Sequence, residues 1–192
     1  MPRLFIIRHG ETAWSLSGQH TSRTDLPLTE NGRLMAVALA SRMAKFAFAQ
    51  VLSSPRLRAR ETAMLAGFPN AEPCDDLREF DYGEFEGLTK ADIRARVPGW
   101  NSVFTDTCPG GETLDQVSTR AKRVAARVRA TAGDTLVFSH GHMGRILAAT
   151  WLGLPATFGR QLVLDTATLN ILGDEDERAY IQAWNCGNES KS

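Results

Sequence analysis

The sequence predicts an α/β fold, a three-layer α/β/α arrangement in which helices cover both faces of a mostly parallel sheet. Two short apolar runs, at residues 4–7 and 135–138, have the length and unbroken hydrophobicity of strands buried on both faces. Segments with helical spacing of apolar residues alternate with such strands, an order that favours a parallel sheet. Residues 168–172 and 179–183 alternate apolar and polar side chains around a turn, and they predict a C-terminal antiparallel hairpin.

The first strand is followed by a polar loop and then by a helix. The loop, residues 14–28, is longer than most strand-to-helix connections, which is a mild indication of function. Thr29 is a suitable N-cap for the helix, which is expected to extend to about residue 45. One face of this helix is formed by Leu34, Val37, Ala38 and Ser41.

A second strand is expected at residues 50–53, and a helix follows it over residues 57–66. Pro55 is placed in the first turn of that helix, where its missing N–H costs nothing. Residues 72–77 form a third, weak strand. This strand leads into residues 77–87, a loop punctuated by glycine that contains four carboxylates and so supplies candidate acids.

The second half of the chain is predicted to hold a short helix over residues 89–97 and an irregular stretch over residues 100–111. A long amphipathic helix follows, because apolar residues step by three and four positions along it. These residues are Leu114, Val117, Ala121, Val124 and Val128. The strand at residues 135–138 then runs into a histidine-containing turn and a helix that ends at about residue 152.

Length and composition indicate one ordinary globular unit. We expect residues 1–192 to form a single domain, with residues 80–112 as a small cap insertion and residues 187–192 as a frayed tail. Lysine plus arginine and aspartate plus glutamate number 22 each, so net charge attracts neither nucleic acid nor a membrane. Any anion site therefore needs a local cluster of cations.

Three scattered cysteines, without the spacing of a metal site, predict free thiols and a cytoplasmic location. No signal peptide precedes the first strand, and no apolar run approaches the ~20 residues of a membrane span. The sequence thus predicts a cytoplasmic protein.

Two predicted strands end in a histidine followed by glycine, at Arg8-His9-Gly10 and at Ser139-His140-Gly141. A buried structural histidine explains either one alone equally well. Parallel strands, however, deliver their carboxyl ends to one edge of a sheet, where ligands bind in α/β folds. The helix start with Arg56, Arg58 and Arg60 opposes the helix dipole, so a bound anion explains these arginines better than local stability does.

Such a cluster suits phosphoryl transfer. Histidine is an established covalent nucleophile, and its ordinary pKa of ~6.5 leaves a neutral fraction at pH 7. Neighbouring guanidinium groups disfavour imidazolium, so they are expected to keep His9 unprotonated while they stabilise the phosphoryl group. One charge pair at ~4 Å is worth roughly 4 kcal/mol at an effective dielectric of 20. A carboxylic acid would protonate the leaving alcohol, and the loop at residues 77–87 supplies candidates.

Four blocks of the sequence resemble the motifs of the histidine phosphatase superfamily, which is also called phosphoglycerate mutase-like. In chain order they are Arg8-His9-Gly10-Glu11-Thr12, Ser53-Ser54-Pro55 with Arg58-Ala59-Arg60-Glu61-Thr62-Ala63, Leu77-Arg78-Glu79, and Ser139-His140-Gly141. An isolated Arg-His-Gly triplet is a weak signal, whereas the four blocks in the correct order are highly specific. The resemblance covers residues 3 to about 152 and implies the phosphoglycerate mutase-like fold.

The resemblance also implies roles for individual residues. His9 would be phosphorylated, with its other ring nitrogen held by a backbone carbonyl, and Glu79 would be the proton donor. The phosphate pocket would be formed by Arg8, Arg58, His140 and the backbone N–H of Gly141. Family members need no metal, and no cofactor is expected here.

Hydrolysis is favoured over mutase activity because the stretch between Glu86 and Glu112 is short. Mutases of the family carry a long insertion there, with extra arginines for a bisphosphate. Here the stretch holds Arg94 and Arg96, and its irregular part holds no compact arginine pair. The expected partner is a small-molecule phosphate ester, and a homo-oligomer is left open. The alternatives are a phosphoglycerate mutase, a protein phosphohistidine phosphatase and a non-catalytic binding protein.

The loop at residues 14–28 is similar to that of sedoheptulose-1,7-bisphosphatase-type members, which also tend to have Ser-His-Gly-His at the second histidine. The sequence departs from them at His20, where that group often has Tyr, and at Ser22, where many relatives have Gly. Candidate substrate contacts are Ser15, Gln19, Thr21 and His142. Hydrogen bonding within the loop is an equal alternative for each of them. The expected substrates are sugar phosphates or bisphosphates.

Several polar residues near the motifs are expected to play supporting roles. Arg56 and Arg60 are assigned to this group because Arg60, two residues beyond Arg58, points elsewhere on the helix. Glu84 and Glu86 are expected to lie on a solvated loop. Glu112 is expected to cap the helix that follows it, in preference to the alternative of holding an arginine.

Overall fold

The computed structural model describes residues 2–176 and 178–187, and a six-stranded sheet forms its centre. The strands are β1 (Leu4–Arg8), β2 (Gln50–Ser53), β3 (Glu72–Pro73), β4 (Thr135–Ser139), β5 (Leu169–Glu175) and β6 (Arg178–Cys186). Their order across the sheet is β3-β2-β4-β1-β5-β6. Strands β1 to β4 pair in parallel, whereas β5 runs antiparallel to both β1 and β6. The predicted mostly parallel sheet with a C-terminal hairpin is confirmed.

Six α-helices connect and cover the strands within the described residues. They are α1 (Ala13–Ser17), α2 (Glu30–Met43), α3 (Leu57–Leu65), α4 (Lys90–Arg96), α5 (Leu114–Arg129) and α6 (Gly141–Trp151). Short 3₁₀ helices occur at Asp75–Leu77, Gly83–Phe85 and Ala156–Gln161. Thr29 caps α2 as predicted, because its hydroxyl accepts a hydrogen bond from the Gly32 N–H at 3.0 Å.

Each face of the sheet carries its own core, because alternate side chains of a strand point in opposite directions. Leu4 and Ile6 of β1 pack with the buried faces of α5 and α6. Phe5 and Ile7 pack with α2 and α3 on the other side. All four side chains are fully buried, and each such burial is worth roughly 1.5–3 kcal/mol. The two cores make the fold a three-layer α/β/α arrangement, as predicted.

The strand ends differ from the prediction in two places. The third strand is confined to Glu72–Pro73, since the chain turns into a 3₁₀ helix at Asp75 directly after the Cys74 N–H donates to the Ser53 carbonyl of β2. The hairpin strands are longer than expected, because the ladder continues from Gly173 opposite Tyr180 to Glu175 opposite Arg178. Residues predicted as the turn therefore belong to β5.

Three helix predictions are also corrected. The loop at residues 14–28 begins inside α1, which Thr12 caps, so it is not wholly irregular. Pro55 lies outside α3, because Arg56 is the extended N-cap and the helix begins at Leu57. The α2 face with Leu34 and Val37 is exposed, at 62% and 52%. The sheet instead covers a second apolar stripe of this helix, formed by Ala36, Leu39 and Met43.

The strand register places the sequence motifs side by side. Arg8 at the end of β1 lies opposite Ser139 at the end of β4, and Ser53 of β2 lies opposite Phe138. Backbone bonds extend this register beyond the strands, since the His9 N–H donates to the Ser139 carbonyl at 3.0 Å. The three strand ends therefore form one edge of the sheet, where the site lies.

The segment at residues 80–112 returns on itself beside that edge. The Glu84 N–H donates to the Pro109 carbonyl at 2.8 Å, and the Glu112 N–H donates to the Asp81 carbonyl at 2.9 Å. Gly83 is required there, because its φ is +53° and a Cβ would overlap the Pro109 carbonyl. The role of residues 80–112 as a cap and the organisation of the chain as a single domain stay predictions. The predicted frayed tail lies outside the described residues from residue 188 onward.

Candidate active site

His9 is the residue around which the site is built. It lies just beyond β1, is 5% exposed, and its Nδ1–H donates to the Gly10 carbonyl at 2.7 Å. A carbonyl can only accept, so the proton is on Nδ1 and the lone pair is on Nε2. Burial, followed by the charges of Arg58 and Arg8, holds the pKa of His9 well below its ordinary value. The imidazole is thus neutral at pH 7 and able to act as a nucleophile.

The glycine after His9 is required by packing. A Cβ on Gly10 would lie 2.5 Å from the Gly32 carbonyl oxygen, so only glycine allows α2 to approach this closely. The Gly10 N–H also donates to the Thr62 hydroxyl at 2.9 Å, which ties the loop to α3. The Thr62 hydroxyl in turn donates to the Arg58 carbonyl at 2.6 Å. Thr62, to which the sequence analysis gave no role, therefore links the loop that carries His9 to the helix that carries Arg58.

Arg8 reaches the site from the last position of β1. Its Nη1 donates to the Leu164 carbonyl at 2.7 Å, and its Nε is buried without a partner. Behind it, the Ala167 N–H donates to the Arg8 carbonyl at 3.0 Å, and Ala167 adopts the left-handed conformation with φ of 53°. The segment before β5 thus fixes both ends of Arg8, a contact that no sequence motif indicated.

Arg58 is fully buried beneath the loop that follows α1. Its guanidinium donates to three backbone carbonyls, those of Thr21, Ser22 and Thr24, at 3.1 to 3.3 Å. The anion expected at the start of α3 is an aspartate of the chain itself, since Asp25 accepts from the Leu57 N–H at 2.7 Å. Arg58 therefore organises the loop and also places a positive charge near His9. Arg60 is exposed, consistent with its predicted supporting role.

His140 lies at the end of β4 and is the N-cap residue of α6. It is fully buried, its ring centroid is 5.3 Å from that of His9, and its Nε2 is hydrogen-bonded to the Ser54 hydroxyl at 2.8 Å. Burial, followed by Arg58 and His9, holds the pKa of His140 well below its ordinary value. The structure thus brings together both predicted histidines and the serine of the second motif.

Glu79 sits over the N-terminus of α6. One carboxylate oxygen accepts from the backbone N–H groups of Phe80 and Met143 at 2.9 Å, and the other accepts from that of His142 at 3.0 Å. The carboxylate is 8% exposed and lines the same cavity as His9. The first N–H of α6, that of Gly141, is not among those bound by Glu79, so it is free to serve an anion.

Glu112 does not cap α5, and that prediction is wrong. Thr113 is the N-cap of α5. Its hydroxyl accepts from the Gln116 N–H and the Gln116 side chain accepts from the Thr113 N–H, which together form a capping box. Glu112 instead forms two hydrogen bonds with the buried Arg120, at 2.9 and 2.8 Å. The Arg120 guanidinium also donates to the Glu79 carbonyl at 3.4 Å. Glu112 and Arg120 therefore support the backbone that carries Glu79.

Glu86 is also more than a solvated loop residue. Its carboxylate accepts from the backbone N–H groups of Ser22 and Thr24 at 2.9 to 3.0 Å. These residues flank the carbonyls that Arg58 binds, so Glu86 holds the same loop from the other side. Glu84 is exposed, as predicted.

An aromatic and histidine cluster adjoins Glu79. The Tyr82 hydroxyl is hydrogen-bonded to His142 Nδ1 at 2.6 Å, and that nitrogen lies 3.9 Å from a Glu79 oxygen. His20 stacks nearly parallel to His142, with ring centroids 6.1 Å apart. Burial, followed by Arg145 and His20, holds the pKa of His142 well below its ordinary value. His142 therefore enters the site as a neutral ring between Tyr82 and His20.

A cavity of about 400 Å³ opens in front of His9. The predicted contacts Ser15, Gln19 and Thr21 line it, but their polar atoms are bonded within the loop or, for Gln19, also to the neighbouring loop at residues 77–87. Ser15 belongs to the α1 capping box, the Gln19 amide donates to the Gly87 carbonyl at 2.8 Å, and the Thr21 hydroxyl donates to the Gln19 carbonyl at 3.2 Å. Loop stability explains their positions, and their contact with substrate stays a prediction.

Two further lining residues, Arg145 and Arg160, were missed in the sequence analysis. Arg145 lies four positions after Gly141 on α6, so helical periodicity places it on the face that carries the histidine motif. Its Nε donates to the Gly141 carbonyl at 3.1 Å. Arg160 belongs to the 3₁₀ helix at Ala156–Gln161, far along the chain from every motif, and no sequence signal identifies it.

Elsewhere the structure offers little further reactive chemistry. Among residues 2–176 and 178–187, no group of three or more histidine, cysteine or acidic side chains is placed to hold a metal ion. The three cysteines are free, and burial raises the pKa of the Cys108 thiol to about 12. No helix in the described part of the chain is long and apolar enough to cross a membrane.

Comparison with known proteins identifies the family. The family model for the histidine phosphatase superfamily (branch 1) matches residues 4–187. An acid phosphatase of Mycobacterium tuberculosis is 40% identical over 177 residues, which cover 90% of this chain and 87% of that protein. Sedoheptulose 1,7-bisphosphatase of Saccharomyces cerevisiae is 38% identical over 186 residues, covering 80% of this chain and 68% of the relative.

Solved structures agree with the sequence comparison. Mycobacterial glucosyl-3-phosphoglycerate phosphatase, in complex with VO3, superposes with a TM-score of 0.88 at 28% identity. The match covers 97% of this chain and 100% of that one. The buried His9, the arginines at its sides and the second histidine from β4 thus occur in a chain that belongs to the histidine phosphatase superfamily and is a phosphatase.

Proposed function

We propose that the protein is a metal-independent phosphomonoesterase that hydrolyses small phosphorylated metabolites through a phosphohistidine at His9. The observation that carries the proposal is the hydrogen bond from His9 Nδ1 to the Gly10 carbonyl, which leaves the lone pair on Nε2 of a ring that Arg58 and Arg8 help to keep neutral. A neutral imidazole with a fixed tautomer is the form that can attack phosphorus. The family assignment and the phosphatase relatives support hydrolysis of phosphate esters.

In the first step, His9 Nε2 attacks phosphorus and the bond between phosphorus and the ester oxygen breaks. Glu79 starts this step as the carboxylic acid and delivers its proton to the leaving oxygen, so the product departs as an alcohol and Glu79 is left as the carboxylate. In the second step, a water molecule attacks the phosphohistidine and the P–N bond breaks. Glu79 takes a proton from that water, so it returns to its starting state, and inorganic phosphate leaves.

Charge on the transferring group is stabilised from several sides. Arg8 and Arg58 supply guanidinium groups, and the buried neutral His140 stands beside His9. The Gly141 N–H, at the start of α6, adds a backbone donor and the positive end of the helix dipole. Removal of one such preorganised donor typically costs about 10²–10³ in kcat. We therefore assign Arg8, Arg58, His140 and Gly141 to the phosphate pocket.

The proposal extends to the substrate and to the cellular location. Sugar phosphates or bisphosphates are proposed as substrates, with Ser15, Gln19, Thr21 and His142 as candidate contacts. We place the protein in the cytoplasm, as a monomer or a homo-oligomer. The mutase and phosphohistidine-protein alternatives are outcomes of the test that follows.

The test is transfer of labelled phosphate to the protein. Brief incubation of the wild-type protein with a labelled phosphate ester, followed by a denaturing quench, is expected to leave base-stable, acid-labile label that His9→Ala abolishes. Retention of near-full activity by His9→Ala would overturn the mechanism. Isomerisation of 3-phosphoglycerate that depends on a bisphosphate primer would instead identify a mutase. A larger kcat/KM for phosphohistidine proteins than for any sugar phosphate would overturn the substrate class.

A further inference from the structure

A second cavity, of about 300 Å³, adjoins the one in front of His9. The two cavities share four lining residues: His20, His142, Arg145 and Arg160. The outer cavity is completed by Lys90 and by the stretch from Trp100 to Phe104. A ligand bound at His9 can therefore extend past the stacked rings of His20 and His142 into this outer cavity.

The outer cavity is positively charged although the chain as a whole is balanced. It contains three cations, Lys90, Arg145 and Arg160, and none of its lining residues is acidic within the described part of the chain. Arg145 is bonded to backbone carbonyls, those of Gly141 at 3.1 Å and Leu162 at 3.5 Å. In the ranges that the structure describes, none of the three forms an ion pair.

Glu79 of the inner cavity acts on Arg145 and Asp106 acts on Arg160, but within the described residues neither acid forms an ion pair with these cations. Arg160 contributes to a lowered pKa of Asp106, behind the larger effects of hydrogen bonds from Thr105, Ser102 and Asn101. Asp106 Oδ2 accepts the N–H groups of Asn101 and Ser102 and the hydroxyl of Thr105, at 2.8 to 3.1 Å. The Asp106 carboxylate is thus committed to its own loop. Lys90, Arg160 and the remaining N–H groups of Arg145, those of Nη2, are available to a ligand.

We propose that the outer cavity binds a second anionic group of the substrate, a phosphate or a carboxylate, while the phosphoryl group to be transferred lies at His9. Arginine forks suit both kinds of anion, and the stacked histidines between the two cavities suit the body of a small polar molecule. The proposal rests on the proposed function for the identity of the inner site. It moves substrate selection from the loop at residues 14–28 to Lys90, Arg145 and Arg160.

The test is a binding comparison in the His9→Ala protein, in which the ligand is not turned over. The dissociation constants of a hexose 1,6-bisphosphate and of the same hexose 1-phosphate are measured by calorimetry, together with 3-phosphoglycerate and glycerol 3-phosphate. The ligands with two anionic groups are expected to bind at least about tenfold more tightly, the size of one charge-assisted hydrogen bond. The pair with the larger ratio of dissociation constants, hexose phosphates or three-carbon phosphates, identifies the second group as a phosphate or a carboxylate.

Variants then locate the source of this preference. Arg160→Gln and Lys90→Gln remove charges whose side chains make no hydrogen bond in the described structure, so the fold is retained. Each is expected to reduce the preference several-fold, and the double variant to reduce it about tenfold or more. Arg96→Gln is the matched control, because Arg96 is exposed on α4 and lines neither cavity. Its preference is expected to equal that of the parent.

The outcomes separate this inference from the proposed function. Equal binding of ligands with one and two anionic groups, or a preference that survives the double variant, overturns the outer anion site while hydrolysis by the wild-type protein still supports the phosphatase mechanism. Conversely, a preference that the double variant removes supports the outer site even where the wild-type protein fails to form a phosphohistidine.

Discussion

Two groups of side chains differ in how they are held. The inner wall is His9 with its buried neighbours Arg58 and His140, of which only His9 lines the cavity, and the outer wall is His20, Arg145 and Arg160, all of which line it. The inner side chains are buried. His9 and His140 lie just beyond strand ends, and Arg58 lies in the first turn of α3. Backbone carbonyls fix His9 and Arg58, and the Ser54 hydroxyl fixes His140. The outer side chains are more exposed and come from a loop, the middle of α6 and a 3₁₀ helix.

This difference separates two tasks. Phosphoryl transfer needs charges and a nucleophile that do not reorganise during the reaction, and burial against a sheet edge supplies that rigidity. Selection among substrates needs charges at a distance from phosphorus. The arginines of the outer wall supply these charges without disturbing the core. We therefore expect inner substitutions to affect every substrate and stability as well, whereas outer substitutions affect some substrates only.

The largest expected effect is that of Arg58→Gln. The substitution removes a cation near His9 and leaves the carbonyls of Thr21, Ser22 and Thr24 without their donors. We expect kcat/KM for every phosphate ester to fall by about 10³, roughly 4 kcal/mol, and Tm to fall by several degrees. Steady-state kinetics and thermal unfolding measure both.

Arg60→Gln is the control for this prediction, because Arg60 is exposed and lies two positions further along α3. Arg60→Gln should change kcat/KM by no more than about twofold and Tm by no more than about a degree. A loss of less than tenfold in Arg58→Gln would show that the inner wall is not the main source of charge stabilisation.

Glu79→Gln should produce the next largest effect, and its size should depend on the leaving group. An alkyl alcohol needs a proton to depart, whereas nitrophenolate leaves without one. We expect kcat/KM to fall by about 10²–10³ for a sugar phosphate and much less for p-nitrophenyl phosphate. Equal losses for the two substrates would contradict proton donation by Glu79 and leave it only its contacts at the start of α6.

How far the sequence predicts these two walls follows from their construction. Arg8, His9 and His140 end predicted strands, so the parallel sheet alone brings them together, and the motif spacing finds Arg58 and Glu79. Glu112 was misassigned because its partner Arg120 faces it only after α5 packs beneath the acidic loop. Arg160 was missed because a short 3₁₀ helix has no periodic pattern to identify it. Local patterns thus predict the inner wall, whereas tertiary packing determines the outer one.

Acid should destabilise the fold through all four histidines, those of the two walls and His142 between Tyr82 and His20. The pKa values of His9, His20, His140 and His142 are all lowered, in each case chiefly by burial. Below pH ~6.5 the unfolded chain therefore binds more protons than the folded one, so stability is present above that pH and is lost as the pH falls. Each histidine that stays neutral in the fold contributes up to about 1.4 kcal/mol per pH unit.

Urea unfolding at pH 7.5, 6.5 and 5.5 measures this slope while most carboxylates remain ionised. His140→Gln should reduce the slope of the unfolding free energy against pH by the contribution of about one proton, up to about 1.4 kcal/mol per pH unit. This reduction is expected whatever the substitution does to stability at pH 7.5. A free energy of unfolding that does not change between pH 7.5 and 5.5 would contradict the buried neutral state of these rings.

The smallest effect is expected at Glu86, which holds the loop that Arg58 binds. Its carboxylate holds the N–H groups of Ser22 and Thr24, and Arg58 binds carbonyls of the same loop. Glu86→Gln should lower kcat/KM about fivefold, near 1 kcal/mol, because a neutral amide is a weaker acceptor and the loop loosens around Arg58. Glu84→Gln, two positions earlier and exposed, should change it by less than about twofold. Equal effects of the two substitutions would mean that Arg58 keeps its position without the contacts that Glu86 makes to this loop.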